Sequence, residues 1–197
     1  MKLENLKKSI TKAEVNELPI MSFEGEIQLI IDLKSCLEAI EELKKETILG
    51  FDTECRPSFK KGESYSISLL QLSTMNKAYL FRLNKFSFPS ELSDLLADPS
   101  IKKAGVAVRD DIIGLQKIRS FKAKGFEEIA DQAKALGIKN LGLRSLAAIL
   151  YDGRISKRAK LTNWENNQLS EAQIKYAATD AWLGVKLYCS FLNLLAK

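Results

Sequence analysis

Apolar and polar positions alternate in short runs whose period switches between that of a helix and that of a strand. Leu3, Leu6 and Ile10 recur at helical spacing, Thr11-Lys12-Ala13-Glu14 offers a second helix start, and Pro19 stops the pattern. Residues 1–23 are therefore expected to form a helical extension packed on a domain of residues 24–197. Glu26 to Asp32 reads as a strand, and Ser35-Cys36-Leu37-Glu38 as a capping box that opens a helix through Leu43. Thr47 to Glu54 is an apolar run ending in two carboxylates, followed by the polar, lysine-bearing loop Arg56 to Tyr65.

Ser66–Ser73 and Ala78–Leu83 are strand-like runs separated by a few polar residues, as a hairpin requires, so the sheet must be mixed. A helix over Ser90–Ala97 precedes a strand at Lys102–Val106, a helix at Val108–Ile118, and a strand at Phe126–Ile129 before more helix. Helices near Leu141–Leu150 and Ser170–Leu195 complete the pattern. Such alternation predicts an α/β layered domain with functional groups gathered at one rim of a mixed sheet, without internal repeats or a second domain.

The 197 residues, 46% of them hydrophobic, suffice for one large core. Cys36, Cys55 and Cys189 are odd in number and far apart, which argues against a disulfide framework or a zinc site and for a reducing setting. No apolar run would span a bilayer, and MKLENLKKSI mixes both charges, so a soluble, cytoplasmic protein is expected. A net charge of +5 suits a polyanionic partner and plain solubility equally. The absence of histidine changes the picture more: it excludes Ser-His-Asp hydrolases, Cys-His proteases, His-ligated zinc enzymes and nucleases with a histidine base.

Three groups of residues could carry chemistry instead. Asp52 and Glu54 lie two apart on a predicted strand, so their carboxylates leave one face while Thr53 points away. Crowded like charges of this kind are relieved by a hard divalent cation such as Mg²⁺ or Mn²⁺. Tyr176 and Asp180 are four apart on a predicted helix and share one face, where a phenol can orient a water. At the turn from strand to helix in KKAGVAVRDDIIGL, Asp111 aligns with Leu115 and Ile118 on the apolar side, whereas Asp110 faces water. Trp164 and Trp182 are expected in the core and Asp131 at a cap or loop. Lys60, Lys61, Lys102, Lys103, Arg154, Lys157, Arg158 and Lys160 form loop clusters that could guide a phosphate backbone, though charge runs are usually solvated surface.

In order, FDTE, AGVAVRDDIIGL and YAATDAWLGVKLY resemble the three exonuclease motifs of the DEDD superfamily over roughly residues 25 to 195. The tyrosine-bearing DEDDy branch is implied, since its histidine-bearing counterpart is impossible here. The resemblance is to the exonuclease domain of the Werner syndrome helicase and, more distantly, to ribonuclease D. SISLLQLSTMNKAYLFRL and LTNWENNQLSEAQIKYAATDA are similar to further family stretches, while Cys55 stands where the family often carries tryptophan.

What the resemblance implies is a ribonuclease H-like sheet with helices on both faces and a 3′-5′ exonuclease using two Mg²⁺ or Mn²⁺ ions. Asp52, Glu54, Asp111 and Asp180 would be the ligands, Tyr176 would assist them, and single-stranded or 3′-recessed DNA or RNA would be the substrate. Two rivals stay open: a nucleic-acid-binding module of the same fold with weak or lost catalysis, and an endonuclease of the broader architecture.

Overall fold

The computed structural model describes residues 6–60, 62–156, 159 and 161–196. Its elements follow the order α1 (Lys12–Glu17), β1 (Glu26–Ile30), α2 (Leu33–Leu43), β2 (Ile48–Cys55), β3 (Ile67–Ser73), β4 (Lys77–Phe81) and α3 (Ser90–Ala97). Then come β5 (Lys102–Gly105), α4 (Val108–Ile118), β6 (Phe126–Glu128), α5 (Ile129–Ala135), α6 (Leu143–Tyr151) and the long α7 (Glu171–Leu195). The strands form one mixed sheet in the order β1-β4-β3-β2-β5-β6. The β2-β3-β4 meander is antiparallel, and β1, β5 and β6 join it in parallel.

Every residue of β3 is buried, as a central strand covered on both faces demands. On one face Leu49, Phe51, Leu70 and Leu72 pack with Cys36, Ile40, Leu43, Leu92, Leu96 and Leu115 of α2, α3 and α4. On the other, α5, α6 and α7 close around Ala104, Ile129, Leu146, Leu183 and Phe191, and Leu69 and Leu80 meet Trp164 and Ala177. The architecture is a ribonuclease H-like mixed sheet with helices on both faces.

Two expected details differ. Residues 6–11 are not helical, and Leu3 lies outside the described residues. Leu6 and Ile10 are still buried, because this segment docks on the connection between α5 and α6 without forming a helix: Lys8 O accepts from Lys139 N at 2.8 Å and Ile10 N donates to Asn140 Oδ1 at 2.8 Å. Apolar spacing thus fitted two conformations, and bonds to distant Lys139 and Asn140 selected the non-helical one. Helix α2 begins at Leu33 rather than Ser35, since Asp32 is the cap, its carboxylate accepting from Ser35 N at 2.8 Å. That bond to the Ser35 backbone is also the main reason the Asp32 carboxyl titrates low.

Candidate active site

Strand β2 carries its apolar residues into the sheet centre and bears Asp52, Thr53 and Glu54 just before its end at Cys55. Opposite it, β3 holds one extra residue: Glu54 pairs with Leu69 and Cys55 with Ile67. The odd residue, Ser68, donates its hydroxyl to Glu54 O at 3.3 Å, so the irregularity is pinned beside the acids.

Helix α7 crosses the even-numbered face of β2. A Cβ at Gly184 would lie 2.4 Å from Ala104 O and 3.1 Å from the Cα of Gly50, and one at Gly50 would collide with Ala181 O. Glycine at both positions therefore sets how closely helix and strand approach. The Ser170–Gln173 capping box fixes where α7 starts. About one and a half turns later Tyr176, and one turn beyond it Asp180, face the strand acids. Oxygens of Asp52, Glu54 and Asp180 all lie within 4.8 Å of one another.

Such crowding costs free energy in ionised form. Burial raises the pKa of Asp52 well above the carboxylate range, and repulsion from Asp180, Asp111 and Glu54 adds to it, with the Thr53 N–H at 2.9 Å opposing. Tyr176 is held protonated by burial, by Asp180 as neighbouring charge and hydrogen-bond acceptor, and by Glu54 and Asp52. Its phenol is thus a hydrogen-bond donor to Asp180 rather than a base.

Asp111 arrives from the opposite face, in the first turn of α4. It lies outside the tight three-acid group and instead accepts from Thr53 Oγ1 at 2.5 Å. Burial raises its pKa to about 6, with Asp110 and Glu128 adding to the rise and the Thr53 bond opposing it. The helix that carries it has Ala107 at its cap position, in the left-handed region with φ 63° and no capping side chain. Glu128 of β6 supplies the cap from across the sheet edge, accepting from Val108 N at 3.1 Å and, with its other oxygen, from Ala130 N of α5 at 3.1 Å.

A cleft of about 420 Å³ opens beside these groups, lined by Asp52, Glu54, Tyr176 and Asp180 on one wall and by Gly142, Arg144 and Ser145 at the start of α6 on another. The donor set suits a hard divalent cation: carboxylate oxygens close enough to share one ion, in a pocket where like charge awaits neutralisation. Asp52, Glu54 and Asp180 can bind such a metal.

Residues expected elsewhere separate clearly. Trp164 is fully buried and Trp182 partly so, against Phe23. Asp131 is exposed and paired with Lys134 on α5. Among the described residues the basic positions serve separate contacts. Lys103 lies in β5, not a loop, and is 0% exposed, donating to Asp98 O and Ile101 O at 2.6 and 2.7 Å. Lys102 pairs with Glu127, Lys60 with Glu63, and Arg154 donates to Leu18 O at 2.8 Å. Lys61, Lys157, Arg158 and Lys160 lie outside the described residues. Cys55 is exposed, its thiol kept protonated by partial burial and by Glu54 and Asp111. Two contributors were missed in the sequence, Thr53 and Glu128. Strand alternation turned the first away from the acids, and nothing local marked the second.

A family model described as 3′-5′ exonuclease matches residues 27–196. The bifunctional 3′-5′ exonuclease/ATP-dependent helicase WRN of Mus musculus is 32% identical over 189 residues, 91% of this chain and 14% of that protein. A 3′-5′ exonuclease of Arabidopsis thaliana is 28% identical over 195 residues, 91% of this chain and 68% of its own length. This chain thus spans only a small part of the first relative. Among solved structures, Escherichia coli RNase D, described as an exoribonuclease involved in structured RNA processing, superposes with a TM-score of 0.78 at 20% identity. The match covers 89% of this chain and 46% of that one, and it shows the shared fold.

Proposed function

Because the chain belongs to the 3′-5′ exonuclease family, we propose that it shortens nucleic-acid strands from the 3′ end and releases nucleoside 5′-monophosphates. The observation that carries this reading is the convergence of Asp52, Glu54 and Asp180, with Tyr176 beside them, on one cleft. Two divalent cations, Mg²⁺ or Mn²⁺, would supply the Lewis acidity that activates a water and stabilises the leaving 3′ oxygen.

The protein's own groups divide that work. Asp52, Glu54 and Asp180 would hold the ions, with Asp52 shared between the two, and Asp111 would support the second from the α4 face. The Tyr176 phenol, pinned by Asp180, orients the attacking water through its hydroxyl oxygen. Chain topology supports this division, since the inner three acids share one face of β2 and Asp111 comes from the other.

The substrate we propose is single-stranded or 3′-recessed DNA or RNA. A cleft of about 420 Å³ admits a terminal nucleotide rather than a duplex, and the RNase D neighbour is described as an exoribonuclease. Among the described residues no helix is long and apolar enough to cross a membrane. The free cysteines Cys36, Cys55 and Cys189 support a reducing, cytoplasmic place of work.

The test is a time course with 5′-labelled single-stranded and recessed-end DNA and RNA in Mg²⁺, Mn²⁺ or chelator. Ladders shortening from the 3′ end, present with either metal and absent with chelator or in Asp52→Ala, are expected. Substrate bound but never shortened would make the chain a binding module, and cleavage of a labelled circle would make it an endonuclease.

A further inference from the structure

Between the two strand acids stands a residue that touches both faces of the site. The Thr53 N–H donates to Asp52 Oδ1 at 2.9 Å, while its hydroxyl donates to Asp111 Oδ1 at 2.5 Å, across 58 positions of sequence. Pleating sends the Thr53 side chain to the α4 face, the face from which Asp111 approaches, and away from Asp180. Asp111 is partly buried, and its neighbours Asp110 and Glu128 carry like charge. A neutral hydroxyl donor aimed at its carboxylate ties Oδ1 to strand β2 and so fixes how the group is held.

We propose that Thr53 is a positioning residue of this site, its hydroxyl fixing the Asp111 carboxylate as the outer metal ligand; the inference depends on the exonuclease reading above. Groups that orient a metal-binding carboxylate typically contribute 10–100-fold to metal affinity or activity, and that is the scale expected here.

Thr53→Val exchanges the hydroxyl for a methyl of similar size and keeps the N–H bond to Asp52. Thr53→Ser restores the hydroxyl. Mn²⁺ binding by titration calorimetry on the metal-free proteins, with circular dichroism to confirm folding, should show affinity weakened about 10–100-fold in the valine variant and returned to the wild-type value in the serine variant. Should Thr53→Val fail to fold, Thr53→Ala removes the same hydroxyl without adding bulk and carries the same expectation. A folded valine or alanine variant with wild-type Mn²⁺ affinity, or a folded serine variant as weak as valine, overturns the proposal. Either result leaves the exonuclease reading standing if the wild type still degrades its substrate. A wild type that binds Mn²⁺ and degrades nothing overturns that reading instead, while the three affinities still decide the part played by Thr53.

Discussion

On the two faces of β2, carboxylates reach the same strand end by different means. Toward α7, a helix of 25 residues with a largely buried face is seated on Gly50 and Gly184, and Tyr176 and Asp180 inherit their positions from that packing. Toward α4, an 11-residue helix begins on a cap borrowed from Glu128, and Asp111 is held by one hydroxyl. Many weak contacts fix one side; a few directed bonds fix the other. Packing is stiff and responds to any change of volume, whereas a single bond can be deleted with the helix still in place.

Substitutions on each face can break or sharpen that contrast. After the complete loss expected of Asp52→Ala, the largest effect is expected from Tyr176→Phe, which leaves the α7 packing intact and removes one oriented hydroxyl. Turnover should fall about 10²-fold with metal affinity unchanged, in single-turnover assays against Mn²⁺ titrations.

Next comes the acid cluster without metal. The Asp111 carboxyl titrates near 3.8 when unperturbed and near 6 in the folded chain, and Asp52 is also raised. Between those values the folded state holds a proton that the unfolded chain has released. Chelated protein should therefore lose stability as pH rises from about 4 to about 6, by about 3 kcal/mol at most for Asp111. Urea melts in chelator across this window check the sign, and saturating Mg²⁺ should restore the stability lost at pH 7.

On the α7 face, Gly184→Ala should cost about 1–3 kcal/mol by pushing helix and strand apart. Activity should fall with it, because Asp180 moves with the helix; full activity at reduced melting temperature would show that the seat has slack. On the α4 face, Glu128→Ala should cost about 1 kcal/mol as a lost cap, and should weaken Mn²⁺ binding while leaving the packing around α7 untouched.

Much of this could be read along the chain. Strand β2 carries its acids near its end because Thr47 to Glu54 is apolar until it turns charged, and α4 covers Val108–Ile118 because its apolar face repeats at helical spacing. Lys103 shows where such reading fails: a lysine beside another lysine looks solvated, yet β5 runs through the sheet and two carbonyls receive its ammonium. Its surroundings are assembled from Asp98 and Ile101 only once the turn before β5 has formed.

What the sequence determined by itself was the set of elements and the chemical kind of its reactive groups, since periodicity and side-chain type are local properties. That Leu6 to Ile10 docks without forming a helix, that Glu128 caps α4, and that Thr53 ties Asp111 to strand β2 were decided by tertiary structure alone. Each depends on a hydrogen bond between residues distant along the chain, and such bonds have no local signature until packing of the two sheet faces brings their partners within reach.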